Sequence, residues 1–237
     1  MSPGITPRPE QIAELTRGRQ IPLDPLPEGN LTAIAEVLAR VWDELLQTQG
    51  MTLLSGEETE VNTLLESRLN ALLDEVNAWS LLVCSVTRGT ETMSYDGSHL
   101  EKRPDLSIHL TKRSPSFPLA VECKILDEPS GKKIEMYCND GLTRFVRGEY
   151  AWASREAFML AYVRDGATIL STLSPLLTQS QALKPDVFQT EALPDSIIHP
   201  NLHLARSNHS RNFRYVGQSS QNSPGTIAIW HLWLLSR

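Results

Sequence analysis

The sequence has few cysteines and no long apolar run, and both features restrict the class of protein. Among 237 residues there are three cysteines, Cys84, Cys123 and Cys138, and no two of them form a CxxC pair. The odd count and wide spacing argue against a disulfide scaffold or a structural zinc site. No apolar stretch reaches membrane-spanning length, and the N-terminus lacks a signal-peptide pattern. These features predict a soluble, cytoplasmic protein with no membrane partner.

The sequence also lacks the motifs of several common enzyme classes. It contains no Walker-type phosphate loop, no GxSxG elbow and no GxGxxG fingerprint, so ATP hydrolysis, serine esterase chemistry and dinucleotide binding lose support. Basic residues are also fewer than acidic ones. The chain has 22 Lys and Arg and 28 Asp and Glu, which gives a net charge of −6. This balance argues against a protein that coats nucleic acid by bulk electrostatics, but it allows an enzyme with a local basic track.

The apolar content is high enough for a full hydrophobic core. With 41% apolar residues in 237, the chain is expected to form one α/β domain. Residues 1–29 are rich in Pro and turn residues and predict an N-terminal arm, while residues 30–237 predict the domain. Apolar residues recur at three- and four-residue spacing over 30–50 and 57–76, which predicts two helices. A strand is predicted over 81–87.

The strongest chemical signal comes from two short alternating runs at 105–110 and 119–126. Apolar and polar residues alternate in both runs, and the Ser- and Pro-containing connector is long enough for a hairpin. Each strand is therefore expected to have one apolar face and one face that carries polar side chains.

The polar face gathers groups that suit hydrolysis of a phosphodiester. If the strands pair with their ends at the connector, Asp105 lies opposite Lys124 and Ser107 opposite Glu122, within roughly 5–8 Å. The carboxylates of Asp105 and Glu122 and the carbonyl of Cys123 are oxygen ligands of the kind that Mg²⁺ or Mn²⁺ prefers. Lys124 beside the metal would hold or deprotonate the attacking water and offset charge in the transition state.

This pattern resembles the PD-(D/E)XK nucleases, the restriction-endonuclease-like superfamily. Pro104-Asp105 matches the PD element, and Glu122-Cys123-Lys124 matches the (D/E)XK element. The resemblance covers about 57–179 and implies an αβββαβ core with a mixed central sheet, N-terminal helices and a β-containing C-terminal extension. It also implies a Mg²⁺- or Mn²⁺-dependent nuclease that cleaves DNA, with RNA as the second candidate, in a restriction or antiviral (phage-defence) setting.

In the resembled family, a helix before the core sheet often offers a further carboxylate to the metal. Glu60 and Glu66 on the second predicted helix are the candidates, and Glu66 is preferred because it lies one turn before Leu69. The next predicted helix, 132–146, would face the substrate in such a fold. Its candidate contacts to nucleic acid are Lys132, Lys133, Tyr137 and Arg144.

The rest of the chain completes the order of the resembled core and adds an extension. A buried strand is predicted over 156–164, parallel to the catalytic strand, and a helix over 168–179. Residues 182–199 predict a polar connector. The tail from 199 to 237 contains no Asp or Glu, and its β-type runs at 201–206 and 226–235 are expected to pair onto the sheet.

Between those two runs lies a basic loop, 207–215. It places Arg211 and Arg214 beside aromatic residues, which suits contact with a phosphate backbone or with unstacked bases.

Two alternatives to a nuclease remain open. The chain could be a catalytically silent module of the nuclease fold that binds nucleic acid or a protein within a complex, or an unrelated α/β binding protein in which the pattern is accidental. All three motif positions hold chemically competent residue types, which favours the enzyme. The acidic balance and the lack of a DNA-reading module predict targeting by a protein partner or a homo-oligomer.

Overall fold

A seven-stranded mixed sheet forms the centre of the part of the chain described by a computed structural model, namely residues 6–196, 199, 201–216 and 223–236. The strands are β1 (Val83–Arg88), β2 (Leu106–Leu110), β3 (Leu119–Leu126), β4 (Glu156–Val163), β5 (Thr190–Ser196), β6 (Leu204–His209) and β7 (Ile227–Leu235). Their order across the sheet is β1-β2-β3-β4-β7-β6-β5. The β3–β4 and β4–β7 pairs are parallel and the other pairs are antiparallel. The predicted α/β class is thus confirmed.

The helices cover both faces of this sheet. They are α1 (Pro9–Leu15), α2 (Glu28–Ser55), α3 (Glu58–Ala71), α4 (Ala78–Leu82), α5 (Ile134–Met136, the π-helical turn Tyr137–Leu142, and Thr143–Val146) and α6 (Ser174–Ala182, after the π-helical turn Ile169–Leu173). Apolar residues of α2 and α3 pack on one face of the sheet, and those of α5 and α6 pack on the other. The sheet centre is therefore buried on both sides, as parallel strands require.

The first long helix, α2, differs from its prediction at the C-terminal end. The sequence predicts an end at Gly50, but the helix continues to Ser55 with a local break in backbone geometry at Gln49. A glycine inside a helix costs about 1 kcal/mol relative to alanine. Leu53 is fully buried beyond it, so packing of the last turn offsets that cost. The second predicted helix, 57–76, ends earlier, at Ala71.

The predicted parallel strand after the crossover helix is confirmed. β4 pairs with β3 in parallel, with Glu122 beside Met159 and Lys124 beside Ala161. The last run of the chain is also confirmed as an interior strand, because β7 lies between β4 and β6. The extension therefore continues the main sheet.

The prediction of an irregular connector over 182–199 is wrong in part. Residues Thr190–Ser196 form β5, which pairs antiparallel with β6 at the edge of the sheet. An edge strand needs apolar contacts on one face only, and Leu193 supplies one against the core beneath it. This partial burial leaves a weak sequence signal, which explains why a Pro-rich polar segment escaped recognition.

Residues 6–29 of the predicted N-terminal arm pack on the domain, and residues 1–5 lie outside the described part of the chain. Ile12 on α1 and Ile21 are buried in a cluster with Phe117, Trp152 and Tyr215. This part of the arm therefore packs beside the 111–118 connector. Within the described ranges, no helix is both long enough and apolar enough to cross a membrane.

Candidate active site

The candidate site forms where β3 extends beyond the end of its neighbour β2. The ladder between the two strands ends at Val121, while β3 continues to Leu126. Backbone groups of alternate residues point to the same side of a strand. Those of Cys123 and Ile125 therefore face the edge where β2 has ended, and we call this edge the notch.

Two carboxylates occupy the notch in place of a paired strand. The backbone N–H of Cys123 donates to Asp105 Oδ2 at 2.8 Å, and the backbone N–H of Ile125 donates to Glu58 Oε2 at 3.3 Å. Asp105 reaches this position because it directly precedes β2, and Glu58 because it begins α3. The end of one strand thus creates the donors that fix two acidic side chains.

The hairpin register differs from the prediction by two residues. The alternating sequence pattern predicts Asp105 opposite Lys124, whereas the observed pairing of Ser107 with Ala120 brings Asp105 level with Glu122. The difference arises because β3 begins to pair with β2 two residues further from the 111–118 connector than it would in a minimal hairpin. A shift of two residues leaves every side chain on its predicted face, so the predicted polar groups still converge.

Lys124 lies at the centre of the carboxylates. Its Nζ is 2.9 Å from Glu122 Oε1, 3.3 Å from Glu58 Oε1 and 3.6 Å from Asp105 Oδ2. The same Nζ donates to the carbonyl of Cys123 at 2.8 Å. Burial acts to lower the pKa of Lys124, but the charges of the three carboxylates outweigh it, so the net result is a raised pKa. Lys124 is therefore a protonated ammonium in this arrangement.

Glu122 is the most buried acid of the cluster, with 2% of its surface exposed. Its Oε2 accepts a hydrogen bond from the hydroxyl of Tyr150, and its Oε1 accepts one from Lys124. Burial, and secondly the charge of Asp105, raises the pKa of Glu122 to about 7. Gly141 on α5 packs closely against Met159, the residue beside Glu122 on β4, since a Cβ at position 141 would lie 2.6 Å from Met159 Cε.

The helix carboxylate at the cluster is Glu58, which the sequence analysis missed. Glu58 precedes the buried residues Val61 and Leu65 by three and seven positions, so it continues the buried stripe of α3. That spacing is the signal that could have found it. Burial raises the pKa of Glu58 despite the opposing charge of Lys124.

Neither predicted helix glutamate reaches the cluster. Glu66 pairs with Arg88 at 2.8 Å on the β1 side of α3. The side chain of Glu60 turns back to accept the backbone N–H of Glu57 at 2.8 Å, closing a capping box. Helical rotation points both residues away from the notch, and a local hydrogen-bond partner holds each of them there.

Cys123 contributes its carbonyl but not its thiol. The residue is fully buried and packs with the apolar core on the α2 and α3 side. Burial raises the pKa of the Cys123 thiol well above its usual value, so the sulfur remains protonated. The carbonyl oxygen faces the notch, where it accepts from Lys124 Nζ.

The structure places the predicted nucleic-acid contacts of residues 132–146 in different surroundings. Arg144 lies at the site, with its Nε 3.9 Å from Glu122 Oε1 and 36% of its side chain exposed. Lys132 pairs with Glu57 at 3.5 Å near the start of α3, and Lys133 is exposed. The prediction for Tyr137 is wrong, because its ring is fully buried and its hydroxyl bonds to His231.

The prediction for Arg211 is also wrong. Its side chain is 4% exposed, and its guanidinium donates to the carbonyls of Gly225 at 3.1 Å, Ala151 at 3.3 Å and Trp152 at 3.2 Å. These bonds tie the C-terminal loop to the segment before β4. Arg214, by contrast, is exposed, as a contact to nucleic acid requires.

We expect Arg211→Met to lower the free energy of unfolding by at least about 2 kcal/mol, since each hydrogen bond from a charged donor contributes about 1.5–3 kcal/mol. Urea denaturation measures this difference, and the exposed Arg40→Met serves as the matched control, which should change stability by less than about 0.5 kcal/mol. Equal stability of the two variants would contradict the structural role of Arg211.

The donor set of the notch fits a hard divalent cation. Asp105, Glu58 and Glu122 offer carboxylate oxygens, and Cys123 offers a carbonyl. In the described ranges, no group of three or more His, Cys, Asp or Glu side chains is arranged to hold a metal ion, and the ammonium of Lys124 lies between the notch carboxylates.

Comparison of the chain with protein-family models, with curated proteins and with solved structures finds no match in any of the three. The function must therefore be inferred from the residues of the notch themselves.

Proposed function

We propose that the protein is a Mg²⁺- or Mn²⁺-dependent nuclease of the PD-(D/E)XK type that hydrolyses phosphodiester bonds of DNA. The observation that carries this proposal is the convergence of Asp105, Glu122 and Lys124 at the notch, with Glu58 added from α3. Apart from the short helix α4 between α3 and β1, the surrounding elements follow the order α3, β1, β2, β3, α5 and β4, which is the order of the resembled core and supports the same assignment.

Asp105, Glu58 and Glu122, together with the carbonyl of Cys123, are the groups that would hold the ion. When bound, such an ion supplies Lewis-acid stabilisation of phosphoryl oxygens and lowers the pKa of a bound water. The backbone N–H groups of β3 already fix two of these carboxylates. Held in this way, Asp105 and Glu58 need little rearrangement of their own to bind a cation once the ammonium of Lys124 moves out from between the carboxylates.

Two basic side chains suit the phosphate. Lys124 is a buried ammonium that can donate to the attacking water or to a phosphoryl oxygen and offset charge in the transition state. Arg144 is half-exposed beside Glu122, and its planar guanidinium suits two parallel hydrogen bonds to a phosphate. Tyr150 holds Glu122 in place through its hydroxyl.

A cleavage assay on supercoiled, linear and single-stranded DNA tests the proposal. We expect the purified protein to cut in Mg²⁺ or Mn²⁺ and to stop in EDTA. A parallel assay on RNA of the same sequence identifies the preferred sugar. If no substrate is cut with either metal, and adding a co-purifying protein partner does not restore cutting, the catalytically silent binding module becomes the better assignment.

Glu58→Gln is expected to reduce metal-dependent cleavage about 10- to 100-fold and to raise the Mg²⁺ concentration needed for half-maximal rate. The reason is that loss of a group that holds or orients a metal typically costs this factor. Glu66→Gln is the matched control on the same helix, and it should cleave at the wild-type rate because Glu66 pairs with Arg88 instead. The reverse result would restore the original assignment to Glu66.

A further inference from the structure

The ammonium of Lys124 lies among four oxygen atoms of the notch. Its Nζ is 2.8 Å from the carbonyl oxygen of Cys123 and 2.9 Å from Glu122 Oε1. Glu58 Oε1 follows at 3.3 Å and Asp105 Oδ2 at 3.6 Å. These four residues are the ones that would hold a divalent ion, so the lysine nitrogen marks the position at which the protein already stabilises a cation.

The second oxygen of two of these carboxylates is bound to another group. Glu122 Oε2 accepts from the hydroxyl of Tyr150, and Glu58 Oε2 accepts from the backbone N–H of Ile125 at 3.3 Å. The oxygens left to hold an ion are therefore those that contact Lys124. A metal ion on the same oxygens would lie close to the ammonium, and like charges at such a distance repel each other strongly in a partly buried site. The two cations thus compete for one position.

The side chain of Lys124 can leave this position without a change in the backbone, because its four-carbon stem is flexible. The side chains of Asp105 and Glu58 are 24% and 30% exposed, whereas that of Glu122 is 2% exposed. The cluster is therefore open on the side of Asp105 and Glu58. Leaving has a cost, since every carboxylate that pairs with Lys124 in the described part of the chain belongs to this cluster.

We propose that the ammonium of Lys124 occupies the cation position of the notch until Mg²⁺ or Mn²⁺ binds, and that it then moves to the open side of the cluster. This inference rests on the proposed nuclease function. Lys124 thus has two successive roles: it neutralises the carboxylates before the metal binds, and afterwards it is free to donate to the attacking water or to a phosphoryl oxygen. Because an ammonium must be displaced, the wild-type protein binds metal more weakly than its carboxylates alone would.

Isothermal titration calorimetry with Mn²⁺ and no DNA tests this competition independently of cleavage. Full-length wild-type protein is compared with Lys124→Met, which keeps a long side chain but removes the charge. We expect Lys124→Met to bind Mn²⁺ at least about tenfold more tightly than the wild-type protein. Lys112→Met, at an exposed position of the 111–118 connector, is the matched control and should bind with wild-type affinity. Equal or weaker binding by Lys124→Met would overturn the displacement.

Acetylation of the wild-type protein gives a second measurement that needs no variant. Acetic anhydride is added with and without saturating Mn²⁺, and mass spectrometry measures the labelling of Lys124 relative to that of Lys112. We expect this ratio to rise with Mn²⁺, because a side chain that is 14% exposed moves toward solvent. A ratio that falls or stays constant, or a lack of Mn²⁺ binding by both the wild-type protein and Lys124→Met, would overturn the displacement even if the protein cleaves DNA. Tighter binding by Lys124→Met and a rising ratio without any cleavage would instead retain the displacement and reject the nuclease.

Discussion

Lys124→Met is expected to reduce metal-dependent cleavage by about 10³-fold or more. The substitution removes the one ammonium that lies within 3.6 Å of all three carboxylates among the described residues. Loss of a group that donates to developing charge typically costs about 10²–10³ in rate, and loss of a proton donor about 10²–10⁴. Single-turnover cleavage of a labelled strand at saturating Mg²⁺ measures the effect on the chemical step.

The same substitution should make stability depend on divalent metal. Without Lys124, three partly or fully buried carboxylates lie together with no central cation, and leaving a buried charge unpaired costs about 3–5 kcal/mol. We therefore expect Lys124→Met to melt at a lower temperature than the wild-type protein in EDTA and to regain much of the difference in Mg²⁺. Activity alone could not separate a catalytic lysine from a structural one, whereas this rescue can.

Lys112→Met is the matched control for both measurements. Lys112 is an exposed residue of the 111–118 connector, and a substitution at such a position changes stability by less than about 0.5 kcal/mol. Cleavage at the chemical step should stay close to the wild-type rate. Two results would contradict the assignment of Lys124: a variant that cuts normally, or one that is destabilised in EDTA with no response to metal.

The second large effect is expected on stability below neutral pH, and its source is a buried chain of hydrogen bonds. His209 Nδ1 lies 2.8 Å from the carbonyl of Phe188, and because a carbonyl only accepts, this nitrogen is the donor. His209 Nε2 then accepts from Ser207, which in turn accepts from His231 Nε2, both at 2.7 Å. His231 Nδ1 accepts from Tyr137 at 2.8 Å, the nearer of the two acceptors that the Tyr137 hydroxyl reaches, since the carbonyl of Met159 is 3.2 Å away. Both imidazoles are therefore neutral.

Burial lowers the pKa of His209 to about 4, although the neighbouring Asp186 and Glu191 act to raise it. Burial also places the pKa of His231 well below its usual value. A histidine in the unfolded chain titrates near 6.5, so the unfolded state binds more protons between pH 6.5 and 4. Stability contributed by His209 is therefore complete above pH 6.5 and is lost as pH falls, by about 3 kcal/mol at pH 4.

Urea unfolding at a series of pH values from 7.5 to 4.5 measures this loss against His209→Gln. We expect the free energy of unfolding of the variant to fall less steeply over that range, by up to about 1.4 kcal/mol per pH unit. The raised pKa of Glu122 gives a slope of opposite sign, but it is common to both proteins and cancels in the difference. The exposed His203→Gln is the control, and slopes that are equal in all three proteins would refute the neutral buried pair.

Much of the site could be predicted from the sequence because side chains alternate between the two faces of a strand whatever strand it pairs with. Alternation placed Asp105, Glu122 and Lys124 on one face, and a register error of two residues did not disturb that. The carboxylate of Glu58 required the tertiary structure, since α3 lies far from β3 along the chain. Residue type was also a poor guide to exposure: Tyr137 and Arg211 suited nucleic acid by chemistry, yet both are buried in hydrogen bonds to the protein.

The sequence by itself determined the local elements: the periodicity of α2 and α3, the alternation of β2 and β3, and the apolar run of β7 each follow from the nearest residues. Only the tertiary structure decided where β2 ends against β3 and which helix acid fills the notch. The physical reason is that periodicity expresses which face of an element is buried. Where one strand extends beyond its neighbour, its unpaired backbone N–H groups are instead bound by side chains that the packing of other elements brings close to them.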